Sequence, residues 1–197
     1  MSTYNAIKYN VSFANAGGLK LIKTLTASSS STLEFVNGTS NVVLDSTYPI
    51  YMFKYINCHA ETNNVAFSVN FRDGSSAYDA TKTTTTFRAY HDEADSDTAL
   101  GYDTGSDLAQ STGIQKLINS VGADNDQSVS GCLTIFSPSS TTFVKHWISQ
   151  ISNAHGGLSS RPERVIIGGG SYSGGPNIFE SFDGFGEAGL SDTIFPS

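Results

Sequence analysis

Tyr48-Pro49-Ile50-Tyr51-Met52-Phe53-Lys54-Tyr55-Ile56-Asn57 is the stretch on which the fold turns. Read at a period of two, it sets Tyr51, Phe53 and Tyr55 on one side. Ile50, Met52 and Ile56 fall on the other, with Lys54 interrupting the row. Side chains alternate between the two faces of a strand, so a segment apolar on both sides calls for cover on both. That predicts a strand central in its sheet and packed against a second layer. Pro49 has no N–H for a ladder and is tolerated at the first residues of a strand, so it marks the start.

Downstream, Val65, Phe67, Val69 and Phe71 alternate with Ala66, Ser68, Asn70 and Arg72, which predicts one core face and one wet face. Asp73-Gly74 turns the chain, and the Thr-rich run from Thr83 to Tyr90 reads as the next strand. Upstream, Leu19, Leu21 and Leu25 share a face, a four-serine loop follows, and Leu33 and Phe35 begin another strand. Asn37-Gly38 is a strong hairpin signal, with Val42 to Leu44 expected to return alongside. Between His91 and Asn125 the chain is acidic and turn-rich, then spaces Ile114, Leu117, Ile118 and Val121 at i, i+3, i+4, i+7. That spacing suits one short helix, with an irregular strand as the alternative. Val129, Leu133 and Ile135 resume the period of two; Phe143, Trp147 and Ile151 then oppose Val144 and Ile148, and Val165 to Ile167 is a last apolar run.

About eight or nine short strands with turn signals between them predict an all-β chain: an antiparallel β-sandwich or jelly roll with at most one short helix. The chain divides into an N-terminal arm at 1–18, a sandwich at 19–170 and a glycine-rich tail at 171–197. Its 197 residues suit one domain with a sizeable core. A net charge of −7 argues against nucleic-acid binding, which needs clustered Lys and Arg. No run of apolar residues is long enough to span a membrane as a helix, and no secretory leader is visible, so a soluble protein is expected. Cys58 and Cys132 each lie in an apolar strand pattern and read as free thiols.

The densest acidic cluster runs from His91 to Asp97, with Asp103 and Asp107 beyond it. Asp92, Asp95 and Asp97 are candidate calcium ligands, since calcium takes six to eight oxygens, although EF-hand spacing is absent. His59, His91, His146 and His155 show no zinc spacing. Gly184 to Gly189 fits the dinucleotide-binding letters but has no room for the required helix. The glycines at 168–170 lack the pattern of a nucleophile elbow or a P-loop. No catalytic motif is complete, no cofactor is implied, and a non-enzymatic role is expected. Tyr51, Tyr55, Tyr90 and Trp147 suit either a core or a sugar-stacking platform, and a calcium-assisted carbohydrate-binding module is the alternative function.

A set of ordered segments carries a resemblance. It comprises Leu21 to Thr24, Phe35 to Gly38, Val43 to Tyr48, Tyr51 to Lys54, Ala80 to Thr84, Phe87 to His91, Asp107 to Gln110 and Ser137 to His146. Over roughly residues 1–150 the chain resembles a family of uncharacterised structural proteins of marine tailed bacteriophages. The resemblance implies a β-sandwich virion component, a tail fibre, adhesin or capsid decoration subunit. It further implies a homo-oligomer; a trimer is expected by analogy with phage fibre modules, with other virion proteins as partners. A host surface glycan is the expected partner where the chain is the receptor-binding part. No catalytic residues come with it. The chain departs from the family pattern after Ser152, where alternation gives way to glycine.

Overall fold

The structure, a computed structural model, describes residues 19–72, 76–92 and 94–154 together with the backbone of three later strands. In order these are β1 (Lys23–Leu25), β2 (Thr32–Phe35), β3 (Ile50–Cys58), β4 (Val65–Phe71), β5 (Lys82–His91) and β6 (Thr98–Tyr102). Then come β7 (Gln115–Val121), β8 (Val129–Phe136), β9 (Lys145–Asn153), β10 (Arg164–Tyr172), β11 (Ile178–Phe182) and β12 (Asp192–Pro196). They form an eight-stranded sheet, β1-β12-β3-β8-β9-β10-β5-β6, and a four-stranded sheet, β2-β11-β4-β7. The chain is all-β and sandwich-like, as its alternation predicts, and the described residues contain no helix.

β3 takes the central place expected of it, third in the large sheet between β12 and β8. Tyr51, Phe53 and Tyr55 are buried against the second layer. The expectation of cover on both faces is corrected, because Met52 is half-buried and Ile56 exposed. Among the described residues the second layer lies on one side alone, and lateral neighbours such as Thr134, registered on Met52, give the other side its partial shelter. Asn57 adopts a left-handed φ of 53° where the β3–β8 register slips, and this slip returns Cys58 to the core face. Among the two cysteines, both free, Cys58 is buried and Cys132 half-buried.

Aromatic rings join the layers. Phe35 of β2 meets Phe53 of β3 edge-on at 5.4 Å, and Tyr55 of β3 meets Phe67 of β4 edge-on at 4.9 Å. Phe71 of β4 and Trp147 of β9 lie 6.0 Å apart. Val129, Leu133, Ile135 and Ile151 fill the space between, from the alternate positions that the sequence predicts.

Other expectations are revised. The short helix is instead strand β7, whose pairing with β4 slips on either side of Phe67. An extra residue in a ladder turns successive side chains to one face, so Leu117 and Ile118 are both buried and mimic helical spacing. Asn37-Gly38 does turn, with Gly38 at φ 81° and its N–H donating to the Val42 carbonyl at 2.9 Å, but Val42 to Leu44 forms no strand. β2 pairs instead with β11, about 140 residues further along the chain. The wet face expected on β4 is covered as well, with Ser68 and Asn70 both buried. Leu19 and Leu21 are exposed, while Ile22 and Leu25 pack on the core.

The C-terminal segment contributes strands to both sheets. The expected boundary at residue 170 falls inside β10, and the stretch read as a tail supplies β11 and β12. β11 lies between β2 and β4, and β12 between β1 and β3. The arm at 1–18, His155 and the glycine run at 184–189 lie outside the described residues.

Gly131 of β8 tests how closely the strands are seated. A Cβ there would lie 2.3 Å from the Gln150 carbonyl oxygen and 2.7 Å from the Ile151 Cα, both backbone atoms. Gly131→Ala is expected to lower stability by about 1–3 kcal/mol, the usual cost of overpacking, as read by urea denaturation.

Candidate functional site

The acidic cluster is used by its own turn. Asp92 is buried, and its carboxylate accepts from the N–H groups of Ser96 (2.7 Å) and Asp97 (3.0 Å) and from the Ser96 hydroxyl (2.5 Å). Asp95 pairs with His91 at 2.8 Å in the open, and Asp97 accepts from the Tyr90 hydroxyl at 3.4 Å. The three candidate calcium ligands thus have separate partners. Among the described residues no group of three His, Cys, Asp or Glu side chains is placed to hold a metal ion. Asp103 is also buried: it pairs with Arg88 at 3.7 Å and accepts from Asn119 at 2.8 Å.

The proposed sugar platform divides. Tyr51, Tyr55 and Trp147 belong to the core and cannot stack on a ligand, whereas Tyr90 is half-buried. His146, expected in a core or interface, is exposed on β9, and His59 bonds the Gln127 carbonyl oxygen at 2.7 Å.

The interior beneath β5 is polar. Alternation points Lys82, Thr84 and Thr86 inward, and all three are buried. The segment after β6 continues along the β5 edge, taking the Thr84 N–H on the Leu108 carbonyl and pairing Ser111 with Lys82. Gln115 accepts from the Thr84 hydroxyl at 2.6 Å and donates to the Ser106 carbonyl at 2.6 Å. The Lys82 amine donates to Asn70 Oδ1 (2.5 Å) and to the carbonyls of Ala80 (2.7 Å) and Thr112 (3.4 Å). Burial pushes the Lys82 pKa down to about 8, partly opposed by the charge of Asp79. With every donor pointed at a protein acceptor, this amine serves as a clamp between β4, β5 and the 112 loop.

Among the described residues two solvent-facing features gather aromatic side chains. One is the edge formed by β5 and β6, where Phe87 and Tyr102 meet edge-on at 5.6 Å and Leu100 is 82% exposed. The register sets Phe87 opposite Tyr102 and Ala89 opposite Leu100, so these residues share the outer face. Among the described residues β6 ends the sheet, and its five residues, Thr98-Ala99-Leu100-Gly101-Tyr102, include no charge and no proline.

The other feature is a pair of clefts flanking Tyr48. The larger, about 420 Å³, lies between the 46–49 and 137–142 segments and is lined by residues including Ser46, Pro49, Ser139 and Thr141. The smaller, about 260 Å³, is lined by residues including Lys20, Ile22 and Val43. Tyr48 lines both, stands edge-on to Tyr51 at 6.0 Å and has the Lys20 amine 5.9 Å from its ring centre. Proline and turn chemistry place these walls. Ser137, at φ 46°, donates its N–H to the Pro49 carbonyl at 2.7 Å. The Ser140 hydroxyl accepts the N–H groups of Thr142 (3.3 Å) and Phe143 (3.0 Å). Asp45 takes the Thr47 N–H at 2.8 Å, and hydrogen bonds from Thr47 hold its carboxyl below the usual carboxylate range. Tyr48 opens the stretch that decides the fold, and sequence reading missed it because one tyrosine before a proline carries no periodic signal.

No protein-family model, no curated protein and no solved structure matches the chain.

Lys82→Met removes the donor for Asn70 and two carbonyls, and an unsatisfied buried acceptor costs about 1–3 kcal/mol, the loss expected in urea denaturation. The folded pKa of Lys82 is depressed, so the unfolded chain binds more protons between pH 8 and the ordinary lysine range. The lysine's contribution therefore rises with pH across that window. The stability gap between wild type and Lys82→Met is expected to widen from pH 8 to pH 10.

Proposed function

We propose that the chain is a non-enzymatic structural subunit of a bacteriophage particle, a tail fibre, adhesin or surface decoration module that acts by self-assembly and contact. The observation that carries assembly is the β5–β6 edge, open among the described residues. A terminal strand leaves a row of backbone donors and acceptors unpaired, and chains that stay apart usually protect such an edge with charge, proline or a covering element. β6 has neither charge nor proline, and its outer face is extended by Phe87 and Tyr102. A continuous apolar surface beside an unpaired ladder favours a second strand laid along it.

The particle itself is supported by the sequence resemblance to phage structural proteins. Among the described residues Asp92 and Asp103 are held by neighbouring groups, Asp92 by its own turn and Asp103 by Arg88 and Asn119. The assembly is a homo-oligomer, with a trimer as the proposed state.

Sedimentation equilibrium at micromolar concentration is expected to give a mass about three times the 20.9 kDa chain. Leu100→Lys places a charge on the exposed edge and is expected to shift the species toward monomer with little change in melting temperature. A wild-type chain that stays monomeric contradicts the proposal.

A further inference from the structure

We infer that the paired clefts around Tyr48 bind a neutral oligosaccharide laid across the tyrosine ring, a site independent of the β5–β6 edge. The larger cleft, about 420 Å³, falls within the roughly 300–1,000 Å³ of small-molecule sites. Its lining decides the ligand class. No charged side chain lines it, so a phosphate or carboxylate would find no cation there. The hydroxyls of Ser46, Ser139 and Thr141 have no hydrogen-bond partner among the described residues. An apolar ligand would strand them, at roughly 1–3 kcal/mol for each group left unsatisfied. A sugar hydroxyl donates and accepts, as does each serine or threonine hydroxyl, so a polyhydroxylated neutral ligand answers this lining group by group.

Tyr48 and Pro49 supply what hydroxyls cannot. A saccharide ring presents a face of C–H groups, and a tyrosine pairs an apolar ring with a polar tip. Tyr48 is half-buried, anchored edge-on to Tyr51, and shared by both clefts. A chain of two or more sugars can therefore occupy the hydroxyl-lined cleft, cross the ring and reach the smaller cleft beside Lys20 and Asn41. The walls are already set. Ser137 is tied to Pro49, Ser140 closes its own turn, and Asp45 closes the turn before Tyr48. Preorganised walls spare the ordering cost that binding otherwise incurs. Phe143, 74% exposed, follows Thr142 directly.

The experiment applies the full-length protein to a printed array of neutral glucans, galactans and mannans beside sialylated and sulfated glycans. The best ligand is then titrated by calorimetry against Tyr48→Ala, Tyr48→Leu, Thr141→Val and Tyr90→Ala. Tyr48→Leu keeps apolar packing on Tyr51 while removing the flat ring, which guards against loss of binding through misfolding. Binding of neutral glycans is expected, weakened at least about tenfold by both Tyr48 changes and by Thr141→Val, and unaltered by Tyr90→Ala. Absence of binding, binding confined to acidic glycans, or affinity untouched by Tyr48→Leu would overturn the inference.

Discussion

The structure depends on aromatic rings meeting between two sheets. Phe35 against Phe53, Tyr55 against Phe67 and Phe71 against Trp147 each place one ring on the small sheet and one on the large. Phe or Trp truncated to Ala in a core typically costs about 3–5 kcal/mol, so these rings outweigh any exposed ion pair in the molecule. The exposed His91–Asp95 pair is of the weak kind. Because the strands of each sheet are fixed by the rings they present inward, the surface features are positioned by the core. Tyr48 rests on buried Tyr51, and Phe87 projects outward because Thr86 and Thr84 turn inward.

The two ends of the chain also depend on one another. β1 and β2 are short, and each is bound into its sheet by a C-terminal strand: β1 by β12 and β2 by β11. Pairings between strands so far apart in sequence are entropically costly to form early, which favours slow folding and late closure. The glycines of β10 have a place in this closure. Gly168 and Gly170 are registered beside Ser149 and Trp147 on one flank and Thr86 and Thr84 on the other.

Much of the architecture is legible in the sequence, because alternation reports directly on a one-sided core. The inward rows of β3, β4, β8 and β9 are read correctly from period two, since Tyr51, Phe67, Leu133 and Trp147 fall where burial requires. Reading fails where a long-range partner decides the outcome. Nothing near Leu33 announces β11, and nothing in Leu117-Ile118 separates a bulged strand from a helix. Buried polar residues mislead for a similar reason. Asp92, Asp103 and Lys82 look like surface or site residues until the donors and acceptors around them are known. The Tyr48 clefts escape notice because hydroxyl-rich loops owe their meaning to shape, which spacing does not encode.

Rings from opposite sheets lock the sandwich. A double-mutant cycle on Tyr55→Leu and Phe67→Leu, followed by urea denaturation, measures that lock for the closest pair, at 4.9 Å. A coupling energy of about 0.5–1.5 kcal/mol is predicted for rings in direct edge-to-face contact. Two substitutions whose effects simply add would contradict the account, because rings that do not sense each other cannot be what holds the layers together.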